Sequence, residues 1–265
     1  MGPAEIRELA AIVRTVAREE LLPRFRRVAH QRKTDGSLLT EADLAVDARL
    51  RTELALHAPE TAFLSEEMDP VVQEALLRDT SRPLWCLDPL DGTSNFAAGI
   101  PFFCVSLALL SGARVEFGIV YDPVRDECFT ASRNLGAELN GNLLHTGSVT
   151  PALHDAVALI DLKRLTPDLR ARLIERPPYH SQRNFGACAL EWAWLAAGRG
   201  HVYLHGGQKL WDLAAGCLLL GEAGGASSDI HGDPVFRRGL APRPVVAAVS
   251  PDLARDWLAH LQGED

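Results

Sequence analysis

The chain has 265 residues, of which 47% are apolar and 23% are charged, and its formal net charge at pH 7 is −8. This length can bury a large core, either in one big domain or in two tightly joined lobes. The negative charge disfavours a general affinity for nucleic acid and for anionic membranes, so we expect neither as a partner. An anionic substrate would then need a binding site that is locally positive.

The cysteines and the apolar runs indicate a compartment. No two of the five cysteines form a Cys-x-x-Cys pair, and they are Cys86, Cys104, Cys128, Cys188 and Cys217. Their odd number and scattered positions predict reduced core thiols and disfavour a disulfide framework or a zinc site. The N-terminal residues show no apolar signal segment, and no apolar run is long enough to span a bilayer. We therefore expect a cytoplasmic protein.

The first half of the sequence alternates predicted helices and strands. Apolar residues at helical spacing predict a helix over about residues 4–29, in which Pro23 marks a kink or a break. Thr40 is placed as the N-cap of a second helix that runs through about His57. The predicted strands cover 62–64, 84–87, 103–110, 115–122 and 128–132, of which 103–110 and 115–122 form a hairpin. Residues 136–142 are rich in turn formers.

The second half repeats the alternation. Its predicted strands are 156–160 and 245–249. Its predicted helices are 166–175, 188–197, 213–222 and 251–262. No internal repeat, low-complexity tract or long linker interrupts the pattern. The sequence as a whole therefore predicts an α/β protein of layered sheets and helices.

The stretch Trp85-Cys-Leu-Asp-Pro-Leu-Asp-Gly-Thr-Ser-Asn-Phe96 carries the strongest chemical signal. Its apolar start ends abruptly in Asp88 and Asp91, two acids that would repel each other if they were buried without a cation. Carboxylate oxygens suit hard cations such as Mg²⁺. Gly92 permits a tight turn, and the N–H groups of Gly92 and Thr93 open a helix at which a phosphate could bind. The stretch predicts a divalent metal that is bridged to a phosphate.

Two other acidic positions also follow apolar segments. Glu66 lies in Ser65-Glu66-Glu67, and taken alone it is most simply part of a solvated turn. Asp212 follows Trp211, and taken alone it is most simply the N-cap of the next helix. Their meaning changes when they are considered together with Asp88 and Asp91.

The three acidic motifs in this order resemble the inositol monophosphatase family of Mg²⁺-dependent, lithium-sensitive phosphatases. The matching segments are 65–67, 88–96, 211–216 with 222–225, 118–123 and 136–141, and the resemblance extends over nearly the whole chain. The resemblance implies an αβαβα sandwich of the inositol monophosphatase and fructose-1,6-bisphosphatase type. It implies one domain with an N-terminal metal-binding lobe of about 1–145 and a C-terminal lobe of about 150–265, assembled as a homodimer.

The resemblance also implies a site for two or three Mg²⁺ ions, at which Li⁺ would inhibit. The implied metal ligands are Glu66, Asp88, the carbonyl oxygen of Leu90, Asp91 and Asp212. The implied catalytic residues are Glu66, Thr93 and Asp43, which would orient and deprotonate a water for direct in-line attack on a phosphate monoester. Lys33 lies where family members keep a basic residue near the metals, or it is a solvated loop lysine.

Residues around the metals would bind the substrate, and one of them departs from the family pattern. The implied substrate contacts are Leu90, Gly92, Thr93, Gly186, Ala187, Cys188, His205 and Asp212. The inositol-cleaving branch has a glutamate where this chain has His205, so the donors and acceptors offered to a substrate ring differ. We expect His205, protonated at mildly acid pH, to favour a second anionic group on the substrate. In the simpler alternative His205 is only a loop residue, and other residues recognise the substrate.

These expectations define a function and its alternatives. The expected activity is a Mg²⁺-dependent phosphomonoesterase for a small phosphorylated metabolite, such as inositol monophosphate or a sugar phosphate. One alternative is another family branch, acting on 3′-phosphoadenosine 5′-phosphate, histidinol phosphate or fructose bisphosphate. A second is a family member without catalysis that acts as a binding or regulatory module. A Rossmann-type nucleotide binder is disfavoured because no G-x-G-x-x-G follows a strand.

Overall fold

The structure is a computed structural model that describes residues 2–26, 30–32, 38–146 and 150–263. The helices are α1 Pro3–Glu20, α2 Glu41–His57, α3 Pro70–Arg78, α4 Thr93–Ala98, α5 Pro167–Glu175, α6 Cys188–Ala196, α7 Leu210–Glu222 and α8 Pro251–Gln262. The strands are β1 His30–Arg32, β2 Leu38–Thr40, β3 Ala62–Ser65, β4 Leu84–Asp91, β5 Cys104–Ser111, β6 Arg114–Asp122, β7 Glu127–Ser132, β8 Gly136–Leu139, β9 Asn142–Leu143, β10 Val157–Asp161, β11 Ser181–Arg183, β12 Val202–Gln208, β13 Ala226–Ser228 and β14 Arg243–Ala248. Short 3₁₀ helices cover Leu153–Asp155 and Leu162–Arg164.

Two sheets organise the described residues. The larger has seven strands in the order β3-β4-β5-β6-β7-β8-β9, in which β3 runs parallel to β4 and the other neighbours are antiparallel. The smaller has five strands in the order β11-β10-β12-β14-β13, with β10 parallel to both of its neighbours. Strands β1 and β2 form a separate antiparallel ladder.

The helices and sheets stack in five layers. Helices α1 and α2 cover the outer face of the larger sheet, and α6 and α7 lie between the two sheets. Helix α8 packs on the other face of the smaller sheet. This is the αβαβα sandwich that the sequence predicts. The division of the domain into two lobes near residue 145 remains a prediction.

The middle helix layer explains much of the apolar sequence. Helices α6 and α7 are buried on most sides because a sheet covers each face of the layer, and their sequences are correspondingly apolar all round. The two helices approach closely at Gly216, where a methyl group would lie 2.3 Å from Cβ of Trp192. Any larger residue at position 216 would force this layer apart.

Strand β4 is buried along its entire length. All eight of its residues are buried, since α2 packs against one face of the sheet and α7 against the other. A strand covered on both sides is normally apolar. Asp88 and Asp91 therefore lie in a layer that otherwise excludes charge, and this marks the functional region.

Several predicted boundaries need correction. Helix α1 ends at Glu20, before Pro23, so the expected helix to residue 29 is too long. Strand β4 continues through the acidic motif to Asp91 and does not end at residue 87. Helix α7 begins at Leu210, three residues earlier than predicted. The sequence did not predict α3, β8, β11 or β13, which are short, nor β12 (Val202–Gln208), a longer strand in which Gly206 and Gly207 weaken the strand pattern.

No helix among the described residues is both long enough and apolar enough to cross a membrane. The expected location in the cytoplasm remains a prediction.

Candidate metal centre

Parallel pairing of β3 and β4 brings the first two acids together. Ser65 is the register partner of Leu87, and the pairing continues with a hydrogen bond of 3.1 Å from the Glu66 N–H to the Leu87 carbonyl. Glu66, the first residue after β3, therefore lies beside Asp88 of β4 at one end of the β3–β4 pair. The Gln73 side-chain amide holds the turn after β3 by donating to the carbonyls of Ser65, at 2.8 Å, and of Glu66, at 3.2 Å.

A bulge in β4 places Asp88 and Asp91 on one face. Residues three apart in a regular strand point to opposite faces. Here Asp88 pairs with Ser106 and Asp91 pairs with Cys104, so three steps along β4 match two steps along β5. The extra residue rotates Asp91 back to the side of Asp88. The Leu90 N–H also donates to Asp88 Oδ1 at 3.1 Å.

The first turn of α7 brings Asp212 to the same region. The Ser106 hydroxyl, opposite Asp88 on β5, donates to the Trp211 carbonyl at 3.1 Å. Asp212 is the third residue of α7, and its Oδ2 accepts from the Lys209 N–H at 2.8 Å. Asp212 therefore binds the backbone before α7 from inside the helix, and it is not the N-cap that the sequence taken alone predicted.

Thr93 and Asp43 come together from two helix starts. Gly92, with φ of +90°, turns the chain from β4 into α4, at whose first position Thr93 lies. The Thr93 hydroxyl is 2.9 Å from the Leu90 carbonyl and 3.4 Å from Asp43 Oδ1. Asp43 Oδ2 also accepts from the Thr40 N–H and hydroxyl in the first turn of α2. The predicted Thr93–Asp43 pair is thus present, although the Leu90 carbonyl is the closer acceptor.

The acids at this site interact electrostatically. Burial raises the pKa of Asp88 well above its usual value, and the charges of Glu66, Asp91, Asp212 and Asp43 raise it further. Burial raises the pKa of Asp91 to about 6. Burial, followed by Glu66 and Asp91, raises the pKa of Asp212 well above its usual value. Each carboxylate thus makes its neighbours harder to ionise when no cation is present.

The carboxylates of Asp91 and Asp212 accept hydrogen bonds from backbone N–H groups. Asp91 Oδ1 accepts from Cys188 at 3.0 Å, and Oδ2 accepts from Ala189 at 2.7 Å and Leu190 at 3.3 Å. These bonds anchor the N-terminus of α6 to β4. In the part of the chain that the structure describes, no three His, Cys, Asp or Glu side chains stand in an arrangement that would already hold a metal ion. Convergence of the four acids on one point therefore remains a prediction.

The predicted substrate contacts lie beyond these acids. Gly186, with φ of +79°, and Ala187 lead into Cys188 at the start of α6. His205 lies on β12, opposite Asp161 of β10. Its Nδ1 accepts from the Gly207 N–H at 3.1 Å, and its Nε2 is 3.7 Å from both Asp161 Oδ2 and Cys188 Sγ. The ring at position 205 therefore faces the loop that the sequence analysis assigned to the substrate.

The charge expected on His205 needs correction. The side chain is buried, and this burial lowers its pKa to about 4 despite the opposing influence of Asp161. Lys163 and Arg164, in the adjacent 3₁₀ helix, lower the pKa further. His205 is therefore neutral at mildly acid pH, and the expectation that it becomes protonated there is wrong. The sequence did not show that a sheet would enclose this ring.

Three site residues were missed from the sequence. Ser106 links β5 to α7, and Asn95 donates to the carbonyls of Phe102, at 2.8 Å, and Phe185, at 2.6 Å. Glu191 is a buried acid in α6. A single acid within the apolar stretch Cys188–Ala196 was a signal that could have been noticed. Lys33 lies outside the described residues.

Comparison with known proteins agrees with this geometry. Residues 4–264 match the Inositol monophosphatase family. The chain belongs to the inositol monophosphatase family, and it is a phosphatase. Inositol monophosphatase 1 of Solanum lycopersicum is 34% identical over 89% of this chain and 85% of its own length. Inositol monophosphatase 1 of Bos taurus is 33% identical over 87% of this chain and 84% of its own length.

A solved structure shows the same fold. The extragenic suppressor protein suhB of Bartonella henselae superposes with a TM-score of 0.84, at 30% identity, over 98% of each chain. The family thus includes proteins named as phosphatases and a protein named as a suppressor.

The acids of this chain fit the Mg²⁺ on which the family depends. They offer hard oxygen donors, they are buried, and they raise one another's pKa, which a divalent cation would reverse. Asp91 Oδ1, which accepts one N–H group, keeps a second lone pair for a metal.

Proposed function

We propose that this phosphatase is a Mg²⁺-dependent phosphomonoesterase that hydrolyses a small phosphorylated metabolite by direct attack of water. The observation that supports this most strongly is the buried acidic group around Asp88, whose pKa is raised by burial and then by four neighbouring carboxylates. Such a group is unfavourable in an apolar layer unless a cation binds there. Glu66, Asp88, Asp91, Asp212 and the Leu90 carbonyl would hold two or three Mg²⁺ ions, and Li⁺ would compete with them.

The metal and the protein side chains would make different contributions to the reaction. Mg²⁺ held by these oxygens would neutralise the phosphate and lower the pKa of a bound water. The Thr93 hydroxyl, held between the Leu90 carbonyl and Asp43, orients that water. Glu66, which follows β3 beside Asp88 and has 18% of its side chain exposed, would accept the proton of that water.

The residues facing the substrate favour an ester that carries a second anionic group. A neutral His205 places no negative charge where the inositol-cleaving branch has a glutamate. Lys163 and Arg164 are exposed on the 3₁₀ helix that follows β10, next to the His205 strand. The contact is close, because a methyl group at Gly206 would overlap the Arg164 carbonyl oxygen. Two cations therefore border the region that the leaving group would occupy.

A phosphate-release panel tests this function. We expect release that requires Mg²⁺, that Li⁺ inhibits, and that is faster for sugar bisphosphates than for inositol 1-phosphate. No release from any phosphomonoester with Mg²⁺ present would instead favour a regulatory module. A preference for inositol 1-phosphate of about a hundredfold would contradict the substrate assignment alone.

We also propose a homodimer formed through one apolar face. Ile100 and Val124 are 48% and 40% exposed. Phe102, Phe185 and Trp194 form an aromatic cluster, in which the Phe102 N–H donates to the Ile100 carbonyl at 2.9 Å and Arg125, the residue after Val124, lies over the Phe102 and Trp194 rings. Exposed apolar groups around an aromatic cluster are typical of subunit interfaces. A change of Ile100 to Glu should lower the mass in solution to that of a monomer, as light scattering would show.

A further inference from the structure

Glu191 is a buried acid that holds the loop before α6. Its side chain lies within α6 and the residue is 2% exposed. Its Oε1 accepts from the Phe185 N–H at 2.6 Å and from the Gly186 N–H at 3.2 Å. Burial raises the pKa of Glu191 to about 7, while the two N–H groups oppose that shift. A carboxylate in this position is unfavourable unless its hydrogen bonds are needed.

A chain of buried polar groups supports Glu191 from behind. The Tyr203 hydroxyl accepts from the Gln208 side-chain amide, and its proximity lowers the pKa of the Glu191 carboxylate. The Gln208 carbonyl accepts from Trp192 Nε1 at 2.9 Å. These three supporting side chains are fully buried. These bonds hold Gln208 and the Tyr203 hydroxyl in place behind Glu191, whose own carboxylate is oriented by the Phe185 and Gly186 N–H groups.

The loop is held from its other sides as well. Asn95 donates to the Phe185 carbonyl, and Asp91 accepts from the N–H groups of Cys188, Ala189 and Leu190. Glu191 and Asp91 together thus accept the backbone donors on both sides of Ala187. This arrangement leaves the Ala187 N–H between two fixed segments, next to the predicted substrate region.

From these contacts we infer that Glu191 is a positioning residue, which sets the backbone of residues 185–188 for binding the alcohol part of the substrate. The inference rests on the proposed function, since it assumes that this loop contacts a substrate. Glu191 itself would touch neither the phosphate nor the metal. Its loss should therefore weaken binding of the alcohol and leave the chemical step intact.

Two measurements on Glu191→Gln test the inference. This variant keeps the size of the side chain but loses the charge that strengthens both N–H bonds. Hydrogen exchange of the Phe185 and Gly186 amides should accelerate about tenfold. KM for inositol 1-phosphate should rise about tenfold with kcat within about threefold, while KM for p-nitrophenyl phosphate, which lacks a polyol, changes less than about twofold. Tyr203→Phe, which removes only the supporting hydroxyl, should show the same pattern more weakly.

Asp229→Asn is the matched control, because Asp229 also clamps a loop by accepting from the N–H groups of His231 and Asp233. It should leave exchange at residues 185 and 186 and both KM values unchanged. Unchanged amide exchange in Glu191→Gln would overturn the inference, whether or not the enzyme is active. Equal losses with both esters would also overturn it, since they indicate general destabilisation. Failure of the proposed function would instead be seen as absence of phosphate release by the wild type.

Discussion

Buried polar groups differ between the metal side of the site, around Asp88 and Asp212, and the substrate side, around His205 and Glu191. On the metal side, Asp88 and Asp212 are buried among other acids, and their pKa values rise because the charges repel. On the substrate side, His205 is buried in the neutral form and Glu191 Oε1 accepts two backbone N–H groups. The first region is incomplete without a cation, whereas the second is complete as folded. Changes on the metal side should therefore have the larger effects.

Asp88→Asn should produce the largest effect on activity. It removes the acid that interacts with all the others at the site, and we expect kcat/KM to fall by about three orders of magnitude or more. The metal-free protein should meanwhile become more stable by about 1 kcal/mol, because a buried charge is lost. Phosphate release and urea unfolding in EDTA measure the two effects. Half of the wild-type activity would rule out a central metal-binding role for Asp88.

Thr93→Ala should follow in magnitude. The hydroxyl acts on the attacking water, so kcat should fall about a hundredfold while KM changes less than about threefold. Asp43→Asn should give the same pattern more mildly, since Asp43 is the more distant acceptor at 3.4 Å. Steady-state kinetics with one ester separates the two parameters. Variants that raise KM at unchanged kcat would place this pair in substrate binding.

Metal removal should make stability depend on pH. Asp88, Asp91 and Asp212 have pKa values raised by folding, so their contribution to stability is complete below about pH 4. It is lost as the pH rises through about 6 for Asp91, and through the raised pKa values of Asp88 and Asp212. In EDTA, Asp91 alone should reduce the free energy of unfolding by on the order of 3 kcal/mol between pH 4 and 8.

Added Mg²⁺ should cancel this loss, because it binds the ionised carboxylates. Melting temperatures at several pH values, with EDTA and with Mg²⁺, make the measurement. Asp88→Asn should flatten the curve recorded in EDTA. A wild type that is equally stable at pH 5 and pH 8 without metal would show that these acids do not repel one another.

The same contrast explains what the sequence could predict. The residues of the metal side lie in short motifs whose order identifies the family. The five layers and the acidic residues near the ends of β3 and β4 were therefore predictable from the sequence. The bulge that turns Asp91 toward Asp88 was not, because it depends on pairing with β5. Burial of His205 and the bonds of Glu191 depend on elements distant in sequence, so their charges were not predictable from local pattern.

On the substrate side, Lys163→Gln combined with Arg164→Gln should give a moderate effect. If these cations attract a second anionic group, KM for fructose 1,6-bisphosphate should rise about tenfold, and KM for inositol 1-phosphate should change less than about twofold. High salt should reduce the difference, since both residues are exposed. Equal effects on both esters would remove the proposed selectivity.

His205→Glu should have the smallest effect, because it changes which ester is preferred and not the chemical step. An acid at position 205 would lie opposite Asp161, which is 3.7 Å from the present ring, so it would be partly protonated and would offer a hydroxyl donor as well as an acceptor. We expect kcat/KM to shift toward inositol 1-phosphate by about fivefold and away from fructose 1,6-bisphosphate by a similar factor. His205→Gln, which adds no charge, is the control and should shift neither. If both variants move the two esters together, the ring at position 205 supports the fold of β12 and does not select the substrate.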